Sequence, residues 1–111
     1  MPDIDLDLEP AIERMGDKEL FLEIAHSFAA TLPRILTDLD GKLMEGSLAD
    51  ARRLAHSLKS NCAAMGAESV RAMAYAVEKA CTDNDGALAR EHFNTLKPYI
   101  ESLQQRLSAL A

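Results

Sequence analysis

Apolar residues recur at intervals of three and four along almost the whole chain, and no useful stretch alternates apolar and polar positions as a half-buried strand would. A short first helix is predicted over about residues 8–15, with Asp7 as its cap, Pro10 tolerated in its first turn, and Gly16 then Asp17 marking its end and the next start. The second runs over about 17–45 on a stripe of Phe21, Ile24, Phe28, Leu32, Ile35, Leu39 and Leu43, bent but not ended at Pro33 and closed by Gly46. Ser47 and Asp50 have the form of a capping box, so a third helix is expected over about 48–65. It buries Leu48, Ala51, Leu54, Ala55, Leu58, Cys62 and Met65 before a stop at Gly66. Val70, Met73, Ala74, Val77 and Cys81 mark a fourth helix over about 67–81. Beyond the turn-forming residues 82–86, the stripe of Phe93, Leu96, Ile100, Leu103, Leu107 and Leu110 predicts a fifth over about 87–109, with a kink or short break at Pro98.

Four substantial helices with short connections favour antiparallel neighbours. The expected fold class is all-α: an up-down-up-down four-helix bundle with the short N-terminal helix packed on one end. At 111 residues the chain has room for one core, so residues 1–111 are read as a single domain.

Composition agrees with this and removes several functions. Only 5% of residues are aromatic within a hydrophobic fraction of 48%, so the core is built from Ala, Leu, Met, Ile and Val, which suits helices. A formal net charge of -6 argues against nucleic acid as a partner, because nothing offsets phosphate repulsion. The acidic start MPDIDLDLEP is unlike a signal peptide and no apolar run reaches membrane-spanning length, so a cytoplasmic protein without a membrane partner is expected. Cys62 and Cys81 lack metal-ligand spacing and are read as reduced, buried small hydrophobes.

One polar cluster interrupts the packing pattern. In AHSLKSNCAAMGA, residues 55–67, His56 falls about 140° from the centre of the third helix's apolar stripe, on its outward side. A histidine there is ordinarily just a solvent-exposed side chain. Its neighbours make it more: Lys59 is one turn on, close enough to help neutralise an anion on the imidazole, and Ser60 and Ala63 are small enough to let a partner approach. Arg52, Arg53 and Lys59 form a basic island on an acidic protein, suited to an anionic reactant or an acidic partner pocket.

The segment AHSLKSNCAAMGAESV resembles the signature of histidine-containing phosphotransfer (HPt) domains, H-x-L-K-G followed by small residues and L-G-A. His56, Leu58, Lys59, Gly66 and Ala67 match it, Ser60 stands for the usual glycine and Met65 for the usual leucine. The similarity extends from DKELFLEIAHSFAATLPRILTDL before the motif to TLKPYIESLQQRL after it. The resemblance implies a carrier in two-component phosphorelays that accepts a phosphoryl group on His56 from a receiver domain's aspartyl phosphate and passes it to another receiver. It implies Nε2 as the acceptor atom, Lys59 as the charge stabiliser and Glu78 as a possible partner for the other ring nitrogen. Arg52, Arg53, Ser60 and Ala63 would face the partner, and Gly66 would be a structural turn. Receiver domains and a hybrid sensor histidine kinase are the implied partners, Mg²⁺ comes with the receiver, and no cofactor belongs to the chain itself. A monomer is expected, and the initiating Met with a complete set of helices fits a free-standing protein. Imidazole is largely neutral at pH 7, so no strong base is needed to expose a ring lone pair.

Two other readings compete. A helical adaptor could bind receivers without accepting phosphate, although the pairing of His56 with Lys59 weighs against it. A metal-binding bundle is suggested by Glu23-Ile-Ala-His26, one Glu-x-x-His unit, but such sites need a second copy, and His26 and His92 are read as surface or boundary residues with no metal bound. Autonomous kinase activity is not expected, since the chain has no nucleotide-binding glycine motif and no room for an ATP-binding domain.

Overall fold

In the computed structural model, which describes residues 1–111, all regular structure is helical: α1 (Leu8–Met15), α2 (Lys18–Glu45), α3 (Leu48–Ala64), α4 (Glu68–Thr82) and α5 (Gly86–Ser108). The four long helices pack in a ring, each of α2, α3, α4 and α5 touching the next and α5 returning to α2, while α1 lies against α2. Their inner faces share one apolar core that includes Phe21, Leu32, Leu39, Leu58, Met65, Leu96, Ile100 and Leu103, all essentially inaccessible to solvent. No helix is long and apolar enough to cross a membrane.

The helix boundaries follow the periodicity, but several local devices differ from those expected. Asp7 occupies the cap position of α1 without a side-chain capping bond; its backbone N–H donates instead to Gly66 O at 3.0 Å. Ser47 likewise makes no capping bond, because its hydroxyl donates to Glu45 and the Asp50 carboxylate is taken by Arg53 and by Lys42 at 3.9 Å. Charged donors outcompete a backbone N–H for that carboxylate, so the capping box does not form. Caps do form at Asp17, which accepts from Leu20 N at 3.2 Å, and at Asp85, which accepts from Leu88 N at 3.0 Å and starts α5 one residue earlier than expected.

Pro33 and Pro98 both sit inside unbroken helices, so α5 has no interruption at Pro98 and α2 continues through Pro33. The buried face of α2 is broader than one stripe. Ala25, Ala29 and Leu36 are buried, while Ile24 is 40% exposed and Ile35 and Leu43 are half-buried at the edge. A helix gripped from two sides, by α3 and α5, must bury more than a single row.

The N-terminal segment is part of the packing. Ile4 is buried, Ser102 Oγ donates to Pro2 O at 2.7 Å, Arg106 donates to Ile4 O at 3.2 Å, and Asp7 hydrogen-bonds to Gly66. These contacts strap residues 2–7 across the end of the bundle, from α5 to the turn between α3 and α4.

Candidate functional site

The site is assembled where α3 and α4 pack side by side. Ala51, Ala55, Leu58 and Cys62 turn one face of α3 into the core, which leaves His56 on the outer face with its side chain 57% exposed. Val70, Ala74 and Val77 do the same for α4 and bring Glu78 to the seam between the helices, 12% exposed. There Glu78 Oε2 lies 2.8 Å from His56 Nδ1, and Oε1 lies 2.7 Å from Lys59 Nζ. The Lys59 contact is an ion pair off the direction of a regular hydrogen bond. The ammonium also stands 5.1 Å from the centre of the Tyr75 ring, within reach of a cation–π attraction.

Burial raises the pKa of the Glu78 carboxyl, but its contacts with Lys59 and His56 outweigh that effect and hold it below the usual carboxylate range. The sign follows: a carboxylate whose folded pKa is depressed stabilises the fold above its unfolded pKa, and that contribution is lost as pH falls through the folded value. The stability difference between the protein and Glu78→Gln is therefore expected at neutral pH and to shrink below the usual carboxylate range. Denaturant titrations across that window check it; a difference unchanged in strong acid would refute it.

Of the residues expected at the site, His56, Lys59 and Glu78 come together, with Glu78 enclosed rather than an exposed helical glutamate. The outer face is more engaged with the rest of the fold at three positions than helical spacing alone implies. Lys59 does not point out to solvent; it is 22% exposed and folded onto Tyr75 and Glu78. Arg53 is tied to Asp50 on the α2 side, so Arg52 is the only member of the basic island without an acidic partner. Ala63 is half-buried, with Arg14 of α1 donating to its carbonyl at 3.2 Å. Ser60 is exposed, and its hydroxyl folds back onto His56 O at 3.2 Å, which keeps the surface beside the ring low. Gly66 is a left-handed turn residue, φ +76°, as its place after α3 requires.

Tyr75 and Arg14 had no signal in the sequence. Tyr75 lies one turn before Glu78 on α4, yet its role depends on where Lys59 folds; Arg14 reaches α3 only because of how α1 docks. No surface groove includes His56, and the ring stands on an open ridge.

The other titratable candidates are occupied elsewhere. His26 Nε2 donates to Leu110 O at 2.7 Å, His92 is half-buried, and no group of three or more His, Cys, Asp or Glu side chains comes together to hold a metal. Cys62 and Cys81 are free and buried. Burial pushes the Cys62 thiol up to about 12 and raises that of Cys81, where nearby Arg52 opposes the rise.

No curated protein and no solved structure matches the chain. The sequence model of one family, the Hpt domain, matches residues 23–110, which take in α3, α4, α5 and all but the first turn or so of α2. Hpt domains are phosphocarrier modules of two-component phosphorelays rather than kinases. With well over half its length matched, and with His56 presented on the ridge of its helical fold, the chain belongs to the Hpt domain family.

Proposed function

We propose that this protein is a phosphorelay intermediate in which His56 Nε2 accepts a phosphoryl group from the aspartyl phosphate of a receiver domain and passes it to the aspartate of another. The observation that carries this reading is the 2.8 Å contact of His56 Nδ1 with Glu78 on a ring otherwise open to solvent. A partner bound at Nδ1 fixes the ring and leaves Nε2 exposed. The scaffold is an up-down-up-down antiparallel four-helix bundle, a reading supported by the ring of helix contacts and the short connections, and residues 1–111 form one Hpt domain.

Phosphoryl transfer depends mainly on positioning and charge stabilisation, which suits a carrier with so little machinery. The receiver brings the aspartate, Mg²⁺ and the concave site, and the chain needs no cofactor of its own. A hybrid sensor histidine kinase is the ultimate source of phosphate. Arg52, Ser60 and Ala63 line the approach to the ring, with Arg53 farther toward α2. The protein acts as a cytoplasmic monomer.

Incubation with receiver domains of the source genome carrying labelled aspartyl phosphate tests the reading: label is expected on His56, fastest from the cognate receiver. Lys59→Ala is expected to slow transfer roughly tenfold by removing a cation from the site. It is also expected to lower stability by about 1 kcal/mol, because the enclosed Glu78 loses one of its two partners. Transfer kinetics and denaturant unfolding measure the two effects separately, and an unchanged transfer rate would remove Lys59 from the mechanism.

A further inference from the structure

One aromatic ring is left out of the packing. Phe21, Phe28 and Phe93 are buried and Tyr99 is half-buried, while Tyr75 is 47% exposed. It lies on α4 one turn before Glu78, so its ring and the carboxylate share a face of that helix, and Lys59 reaches across from α3 to both. Lys79, one turn on along α4, pairs with Asp83 at 3.4 Å and leaves the ring to Lys59.

Glu78 alone does not fix where the ammonium stands. The contact of Lys59 Nζ with Glu78 Oε1 is close, at 2.7 Å, but lies off the direction of a regular hydrogen bond, so it holds by charge rather than by orientation. A flexible four-carbon stem could swing the ammonium around such a charge. The Tyr75 ring, with its centre 5.1 Å from Nζ, supplies a second restraint from a different residue.

Resting on the assignment of His56 as phosphoryl acceptor with Lys59 as its cation, we propose that Tyr75 is a positioning residue for the transfer, whose ring seats the Lys59 ammonium at the α3–α4 seam. It acts through Lys59 and touches neither the imidazole nor the reacting atoms.

The chemistry of the seat suits this task. An aromatic face attracts the ammonium without neutralising it, whereas a carboxylate in its place would cancel the charge that the phosphoryl group needs. That attraction is also weaker than a charge-assisted hydrogen bond to a phosphoryl oxygen, so the ammonium passes to the phosphoryl group when it arrives. On acceptance, the Nε2 lone pair attacks phosphorus, the N–P bond forms, the P–O bond to the receiver's aspartate breaks, and its electron pair leaves on the aspartate carboxylate. Donation is the same exchange in reverse, to an aspartate of the next receiver. Lys59 keeps its protons in both directions and offsets charge only.

The test measures single-turnover transfer with Mg²⁺ from a receiver domain bearing labelled aspartyl phosphate, over a range of receiver concentrations. Tyr75→Leu keeps an apolar side chain against the Lys59 stem but removes the ring face. Its limiting rate is expected to fall about three- to fivefold, with the receiver concentration at half-maximal rate unchanged. Tyr75→Phe, which retains the ring, is expected to restore the rate. In a Lys59→Ala background the change from Tyr75 to Leu is expected to cost nothing further. The same loss in that background, an effect confined to the half-maximal concentration, or a Phe variant as slow as the Leu variant would each overturn the proposal. Proton NMR of the unaltered protein answers independently of any variant: the ring current of Tyr75 is expected to shift the Lys59 Hε signals upfield, and unshifted signals overturn the seat. Label on a residue other than His56 in the unaltered chain, or a Lys59→Ala rate equal to that of the unaltered chain, would instead refute the underlying reading, and the proposal with it. Neither observation involves Tyr75, so the two failures are distinguishable.

Discussion

His56→Gln is expected to abolish labelling by a phosphorylated receiver domain, a loss of roughly a thousandfold or more, while leaving the fold in place. The nucleophile in question is the lone pair on Nε2. Glutamine offers an amide nitrogen whose lone pair is delocalised, yet it keeps a polar N–H that can donate to Glu78, so the seam between α3 and α4 need not open. The ring is 57% exposed and outside the apolar core, so stability should change by about 0.5 kcal/mol or little more. Circular dichroism and denaturant unfolding check the fold; acid-labile label followed over time checks the chemistry. Retained labelling would sink the assignment, since His26 is bound to the Leu110 carbonyl and His92 is half-buried between α4 and α5. Receiver binding with no label on the unaltered protein would favour instead a helical adaptor that binds receivers without accepting phosphate.

The largest expected effect on stability lies at Gly66, a residue with no part in the chemistry. Its φ of +76° already disfavours any side chain, and a Cβ there would run into the backbone carbonyl of Asp7, with the carbonyl carbon at 3.0 Å. Backbone does not swing aside as the end of a long side chain does. Gly66→Ala must either strain the turn after α3 or release the strap held by the bond from Asp7 N to Gly66 O. Roughly 2–4 kcal/mol of destabilisation is expected, which for a chain of this size lowers Tm by about 10–20 °C. Gly46→Ala is the matched comparison: its φ is +74°, but a Cβ meets nothing within 4 Å, so only the conformational cost of about 1 kcal/mol applies. Equal losses at the two glycines would refute the close approach of the strap as the cause. Labelling at His56 should persist in the folded fraction of either variant, because both changes leave the α3–α4 seam intact.

The contrast between these two glycines marks the limit of what is legible along the chain. Both follow a helix and both have positive φ, which is a local requirement and visible as a local pattern. The collision with Asp7 is not local, since 59 residues separate it from Gly66. The same division runs through α3. The heptad-like spacing of Ala51, Leu58 and Cys62 was enough to turn His56 outward, because side-chain direction around a helix depends only on position along it. That pattern misplaced Lys59, whose flexible side chain goes wherever a neighbouring helix offers charge, here to Glu78 and Tyr75. Arg53 likewise turns toward a neighbour, Asp50.

The sequence by itself therefore determined the helices, most of their inward faces, the outward histidine and, through the residues around it, the family. Each follows from a repeat or a spacing that a single helix carries whatever it packs against. Only the tertiary structure decided that Glu78 sits against Nδ1 of His56, that Lys59 is committed to Glu78 and not open to solvent, and that residues 2–7 strap the end of the bundle. Those contacts join residues on different elements, and they depend on the register and approach of two packed surfaces, which no single helix specifies.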